Sequence, residues 1–308
     1  KSLLDERVRR VDIGSPLVGH AVALSLFGVA GAGAFVVAKR RIEAGDDIVE
    51  PAYPEPPASP EVTAGPNSNV AFDAIGKEGR RFVLMALTAP EISAVMNEPA
   101  RDPIRIVGGY EAAPSTEERA QVCLQEMESI GAFDRSLICI ASPTGVGYVS
   151  YTFVESLEYL TRGDCATVIP QYALVPSAMA LFDTADGVAL QRRVLELTRD
   201  RIKELPADRR PKLVQFGESL GAQVALDVAY PAGTDEFDEL GLDAGLYLGV
   251  PFRSASWNSW WNARALFDPN EQLQLVPDSD ALFESMQDLP HKSRHVMVVH
   301  DDDPVNKF

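Results

Sequence analysis

The pattern of apolar and polar positions changes along the chain, and most of it alternates short apolar runs with amphipathic stretches. Six short continuous apolar runs are predicted as strands: residues 104–108, 136–141, 166–170, 212–216, 245–249 and 295–299. Three amphipathic stretches are predicted as helices: residues 116–130, 154–160 and 187–205. Apolar strands alternating with helices are typical of a mostly parallel sheet with helices on both faces, so the sequence predicts an α/β fold.

A different pattern marks the N-terminal part of the chain. Residues 16–38 form a 23-residue apolar stretch without a formal charge, long enough as a helix to cross a bilayer. Basic residues flank it on both sides, so its orientation cannot be assigned. We expect a transmembrane helix and a membrane location; a buried helix of a soluble core is the alternative. Gly28, Gly31 and Gly33 give a small-residue face that suits a membrane-protein partner.

Residues 51–66 carry six prolines, which favour extended geometry and predict a linker. The expected organisation is an N-terminal segment at 1–50, this linker, and a catalytic domain at 67–308. We expect that domain to be incomplete at its C-terminal end, because the histidine discussed below has no place in it.

Composition narrows the classes of function. The 308 residues include 45 acidic and 28 basic ones, giving a net charge of −17, which repels phosphate backbones and makes nucleic acid an unlikely partner. The three cysteines Cys123, Cys139 and Cys165 lie in apolar or amphipathic runs, and we interpret them as buried free thiols.

The strongest chemical signal is Gly-Glu-Ser-Leu-Gly at 217–221, between a predicted strand and the helical stretch AQVALDVA. On a strand-to-helix turn, this motif holds the serine in a strained conformation, with Gly217 and Gly221 leaving room for tight packing. Ser219 is therefore the candidate nucleophile, with Glu218 beside it in the turn. The backbone N–H of Leu220, at the start of the helix, is expected to face a developing oxyanion.

A second oxyanion donor is expected from the loop that follows the strand at 136–141. This loop reads SPTGVGY, and its glycines would let a backbone amide approach a substrate carbonyl. Thr144 and Gly145 are the candidate donors. An ordinary loop with turn glycines explains the same residues equally well.

The acid and base of a catalytic triad are less well defined. Asp303, next to Asp301 and Asp302, follows the last predicted strand and is the candidate acid. Three adjacent carboxylates could bind a cation, but ligand spacing gives no support, so we predict no metal and no cofactor. No histidine follows Asp303, where the usual chain order places the base. Either the protein continues beyond Phe308, or His300 substitutes, or the site is inactive.

The remaining histidines and the tryptophans carry weaker signals. His291 and His295 are expected at the surface or at strand edges, and His20 near the end of the apolar helix. The cluster Trp257, Trp260 and Trp261 could line a cap or an acyl pocket, lie at a lipid interface, or simply fill the core.

Several segments together resemble a family of actinobacterial membrane proteins in which a helical membrane domain precedes an α/β-hydrolase catalytic domain. They are EGRRF, DPIRI, EERAQVCLQEMESIGAFDRSLI, SPTGVGYV, VESLEYLTRGDCATV, FGESLGAQ and HDDDPVNKF, and the resemblance covers about residues 60–308. It implies Ser219 as nucleophile and Asp303 as acid, with the histidine in a region that this sequence does not contain. The family usually has several membrane helices, whereas only one is visible here.

These observations favour a membrane-anchored serine hydrolase or acyltransferase that acts on an ester or lipid through a Ser219 acyl-enzyme. A catalytically inactive hydrolase-fold scaffold in a membrane assembly is the alternative. A soluble secreted esterase with a cleaved leader is a third possibility.

Overall fold

The computed structural model describes residues 55–174, 184–277 and 293–299. The strands are β1 (Ile104–Gly108), β2 (Leu137–Ser142), β3 (Cys165–Pro170), β4 (Lys212–Glu218), β5 (Ala244–Leu248), β6 (Leu273–Val276) and β7 (His295–Val298). The helices are α1 (Gly76–Leu84), α2 (Ala89–Met96), α3 (Thr116–Ile130), α4 (Tyr151–Leu160), α5 (Thr184–Glu204), α6 (Leu220–Asp227), α7 (Asp235–Glu239) and α8 (Ala255–Phe267).

The strands form one sheet with the order β1-β3-β2-β4-β5-β7-β6, and every neighbouring pair is parallel. This confirms the predicted mostly parallel sheet and six of its strands. β6 was not predicted. β4 extends to Glu218, two residues further than the sequence indicated, and so reaches the candidate nucleophile directly.

Two buried clusters lie on opposite faces of the sheet, and helices cover both. One face packs against α3, α5 and α6, through residues such as Met127 and Val194. The other packs against α1 and α4, through residues such as Phe82 and Val154. All three cysteines are buried and free, which confirms their interpretation as buried thiols.

The strand order changes direction between β2 and β4. These strands are paired from Leu137↔Lys212 to Ser142↔Gly217, yet from β2 the chain continues to β3 on one side and from β4 to β5 on the other. The two following segments therefore diverge and leave a crevice at the carboxyl edge of the sheet. Ligand sites of open parallel sheets lie at such a point.

The proline-rich segment predicted as a linker at 51–66 packs on the sheet over its described part. The Thr63 N–H donates to the Arg105 carbonyl oxygen at 3.0 Å, and the Arg105 N–H donates to the Glu61 carbonyl oxygen at 3.2 Å. Val62 is fully buried. These residues cover the free edge of β1, which would otherwise expose unpaired backbone groups.

The predicted membrane helix at 16–38 lies outside the described residues. Among the helices of residues 55–174 and 184–277, none has both the length and the apolar character that a bilayer crossing requires.

His295 begins β7 and is a core residue. Its ring stacks on Phe237 with centroids 4.1 Å apart, and its Nδ1 lies 3.0 Å from the Tyr247 hydroxyl. It lies at the end of a strand, as expected, but the alternative of a surface position is wrong because the side chain is fully buried. Since His295 is at the amino end of a parallel strand, it lies at the sheet edge opposite Ser219 and cannot serve as its base.

Burial lowers the pKa of His295 to about 3, with a further contribution from the nearby Arg294 charge. Between that pH and the ordinary histidine pKa near 6.5, the unfolded chain binds a proton that the folded protein excludes. The contribution of the neutral His295 imidazole to the unfolding free energy is therefore fully present above about pH 6.5. It decreases as the pH falls, by up to about 1.4 kcal/mol per pH unit.

We expect His295→Gln, which removes the titration, to flatten the decline of the unfolding free energy between pH 7 and pH 4.5. Urea unfolding at several pH values measures this, with the wild type as reference. Equal slopes for both proteins would contradict a neutral buried imidazole.

Candidate active site

Ser219 forms the junction between β4 and α6. Its backbone has φ 54° and ψ −122°, a region that residues with a side chain rarely adopt. The junction is held from both sides: the Ser219 N–H donates to the Leu248 carbonyl oxygen at 2.8 Å, and the Ser219 carbonyl oxygen accepts from the Gln223 N–H at 3.1 Å. The side chain is partly exposed, at the carboxyl edge of the sheet.

The two glycines of the motif are required by close backbone contacts. A Cβ on Gly217 would lie 2.3 Å from the Gly221 carbonyl oxygen, and one on Gly221 would lie 2.3 Å from the Ser142 carbonyl oxygen. Neither space admits a side chain. The turn therefore packs directly against the carboxyl end of β2, a contact that the sequence did not specify.

The first turn of α6 presents backbone N–H groups beside Ser219. Those of Leu220, Gly221 and Ala222 have no backbone acceptor within the described part of the chain, as expected at a helix start. They give this end of the helix a partial positive charge. Leu220 therefore stays a predicted oxyanion donor.

The loop after β2 contains the two other predicted oxyanion donors, Thr144 and Gly145. The Thr144 N–H donates to the Tyr148 carbonyl oxygen and the Gly147 N–H donates to the Thr144 carbonyl oxygen, both at 2.9 Å. The Thr144 amide therefore already has an acceptor within the loop, which makes Thr144 the weaker of the two candidates. The Gly145 N–H has no acceptor among the described residues and stays the candidate.

Comparison with known proteins identifies the family of the chain. A family model described as "Alpha/beta-hydrolase family" matches residues 104–308, two thirds of the chain. The chain belongs to this family. A second model, described as "Alpha/beta-hydrolase family N-terminus", matches residues 2–86. No curated protein and no solved structure matches the chain significantly.

The other predicted triad members of this α/β-hydrolase follow β7 in the sequence. β7 ends at Val298 on the same edge as Ser219, and the Gly249 N–H after β5 donates to the Val298 carbonyl oxygen at 2.8 Å. Asp303 and His300 lie outside the described residues. Within the described ranges, no three His, Cys, Asp or Glu side chains are grouped to hold a metal ion.

Two buried polar side chains at this edge were not predicted. Gln171 follows β3 and accepts from the Tyr110 N–H at 3.3 Å through Oε1, and its Nε2 has no partner among the described residues. A Cβ on Gly147 would lie 2.5 Å from that Nε2, so Gln171 supports the loop after β2. The buried Ser142 hydroxyl also has no partner in the structure. Ser142 ends β2 at the switch point, and Gln171 follows the neighbouring strand β3. A polar residue directly after an apolar strand is the sequence signal that could have indicated Gln171.

Glu218 and Tyr148 are two further polar residues near the nucleophile turn, and their electrostatic interaction affects Tyr148. Burial raises the pKa of the Tyr148 phenol, and the nearby Glu218 carboxylate raises it further. The phenol therefore stays neutral at physiological pH and retains its proton for hydrogen bonding. Glu218 is half-buried and precedes the nucleophile.

The three tryptophans of this α/β-hydrolase are on α8 and differ in burial. Trp260 is buried, and its Nε1 donates to an Asp268 oxygen at 3.3 Å, so it fills the core. Trp257 stacks on Trp260 with centroids 5.9 Å apart and is half-buried. Trp261 is exposed. The core interpretation therefore holds for Trp260 but not for Trp261.

Two cavities of this protein lie away from Ser219. One, between Asn69 and Glu126, has a volume of about 280 Å³, and the other, between Arg199 and Asp243, about 380 Å³. Neither lining includes a residue of the Gly-Glu-Ser-Leu-Gly turn.

Proposed function

We propose that this α/β-hydrolase is a serine hydrolase that cleaves a carboxylic ester, or transfers its acyl group, through an acyl-enzyme on Ser219. The supporting observation is the turn itself: a serine at φ 54° between β4 and α6, beside helix N–H groups without acceptors. Backbone strain of this kind in an ordered turn is typical of a functional site. It orients one hydroxyl at the edge where parallel sheets bind ligands.

The proposed reaction uses the groups in the following roles. The Ser219 oxygen attacks the ester carbonyl carbon while its proton passes to a base. The amides of Leu220 and Gly145 donate hydrogen bonds to the carbonyl oxygen as it gains negative charge. The base returns the proton to the leaving alcohol, and water or an acceptor alcohol then releases the acyl group.

The catalytic base and acid are proposed from the sequence alone. Asp303 is the proposed acid, since it follows β7, whose carboxyl end lies at the edge of Ser219. His300 is the proposed base within this sequence, and a histidine after Phe308 in a longer protein is the alternative. Asp303 would orient that imidazole.

The substrate class is proposed from the membrane-helix prediction. A catalytic domain on the same chain as an apolar stretch such as 16–38 would meet amphiphilic esters at a membrane surface. We therefore propose an acyl ester or lipid as substrate, with the membrane and a membrane-protein partner as surroundings. No nucleic-acid substrate is proposed, given the net charge of −17.

Labelling of the full-length protein with a fluorophosphonate tests the proposal. We expect a covalent adduct on Ser219, located by mass spectrometry of the digested protein, because the strained turn exposes this hydroxyl. Ser219→Ala should give no adduct, and Ser129→Ala, an exposed serine on α3, should be labelled like the wild type. Absence of any Ser219 adduct in the wild type would favour the inactive scaffold.

A further inference from the structure

α8 has a surface with two large exposed apolar side chains. Trp261 is 65% exposed and Leu266 is 85% exposed, and every residue from 261 to 266 is exposed. Exposed large apolar side chains grouped beside polar residues are typical of an interaction site. The backbone leaves helical geometry at Ala263, so Leu266 is not in the position that a regular helix would give it relative to Trp261.

The charge of this surface is opposite to that of the protein. Residues 244–267 contain no acidic residue and two arginines, in a chain whose net charge is −17. Arg253 lies over the Phe252 ring at 5.6 Å and Arg264 over the Trp260 ring at 4.9 Å. Neither arginine has a carboxylate partner within the described residues, so both positive charges are available to an anionic surface.

The position of α8 connects this surface to the candidate active site. α8 follows the loop after β5. The carbonyl oxygen of Leu248, the last residue of β5, accepts a hydrogen bond from the Ser219 N–H. Its start is fixed to the end of α6 by Asp227, whose carboxylate accepts from the Ser254 hydroxyl at 2.6 Å and from the Ser256 N–H at 2.9 Å. α6 itself begins at Leu220, directly after Ser219, so α8 is joined through α6 to the turn that holds the candidate nucleophile.

We infer that the surface of α8 formed by Trp261, Arg264 and Leu266 binds an anionic lipid bilayer. Tryptophan and arginine together suit the boundary between head groups and acyl chains, because each has an apolar body and a polar end. A soluble acidic protein would match the arginines but not the isolated Leu266. Binding is independent of turnover and does not require Ser219 to be catalytic.

The chain contains three tryptophans and all are on α8, so its intrinsic fluorescence reports this helix alone. The full-length protein is added to vesicles of phosphatidylcholine and phosphatidylglycerol whose acyl chains carry bromine. We expect bromine to quench the emission, and quenching to fall in pure phosphatidylcholine and at high salt. Because bromine quenches only at short range, tethering through another segment does not give the signal.

The double variant Arg264→Glu with Leu266→Glu keeps every tryptophan and should lose most of the quenching. Leu160→Glu is the matched control, since Leu160 is 73% exposed on α4, and it should quench like the wild type. Equal emission of the wild-type protein with brominated and ordinary vesicles would overturn the inference. So would a shift that depends on protein concentration without lipid, which would assign the surface to a second copy of the chain.

Discussion

Ser219→Gly is expected to abolish turnover while leaving the protein at least as stable as the wild type. The hydroxyl is the proposed attacking group, and its loss should lower the rate of ester hydrolysis by about a thousandfold or more. Glycine, however, adopts φ 54° without the steric cost that serine pays there. That gain offsets the larger backbone entropy of glycine in the unfolded chain, so we expect an unfolding free energy equal to the wild type or higher by up to about 1 kcal/mol.

The measurements are hydrolysis of an activated short-chain ester and urea unfolding followed by the α8 tryptophans. Ser219→Ala is the matched control, because it also removes the hydroxyl but keeps the Cβ. It should be as inactive as the glycine variant and less stable than it. Residual turnover in both variants would exclude Ser219 as nucleophile, and a glycine variant less stable than the alanine variant would show that the turn is unstrained.

The sequence predicted the parts of the fold whose apolar pattern is strong. β1, β2 and β3 are buried on both faces, so their mostly apolar residues stand out from their surroundings. β6 was missed because its four residues include two half-buried positions and lie at the edge of the sheet. α1 was missed because its buried surface includes Arg80, which a hydrophobic pattern counts as polar.

The candidate site was predictable as far as it is local in sequence. The Gly-Glu-Ser-Leu-Gly turn and the loop after β2 with the second candidate oxyanion donor are each a short continuous segment. The structure has both at the same edge of the sheet. The hydrogen bond that occupies the Thr144 amide depends on how the loop closes on Tyr148, which the residue types do not specify. Gln171 reaches the same loop from β3, and only the strand order brings those segments together.

A buried ion pair lies on the face of the sheet that α1 and α4 cover, and we expect its loss to destabilise the fold strongly. Arg105 in β1 donates to both carboxylate oxygens of Glu158 in α4, at 2.6 and 2.9 Å, and to the Phe82 carbonyl oxygen at 2.8 Å. Both side chains are essentially without solvent contact. Burial raises the pKa of Glu158, against the opposing effect of the Arg105 hydrogen bonds, so the pair is held together at a desolvation cost.

We expect Glu158→Ala to lower the unfolding free energy by about 3–5 kcal/mol, because it leaves the Arg105 guanidinium buried without its counter-charge. Arg209→Ala is the matched control: it breaks a pair with Asp134 in which both side chains are about two thirds exposed, and should cost no more than about 0.5 kcal/mol. The double variant Arg105→Met with Glu158→Leu removes both charges and should recover much of the loss. If urea unfolding instead shows the same small cost for Glu158→Ala and Arg209→Ala, water must reach Arg105, and the packing of α4 on β1 is looser than these distances require.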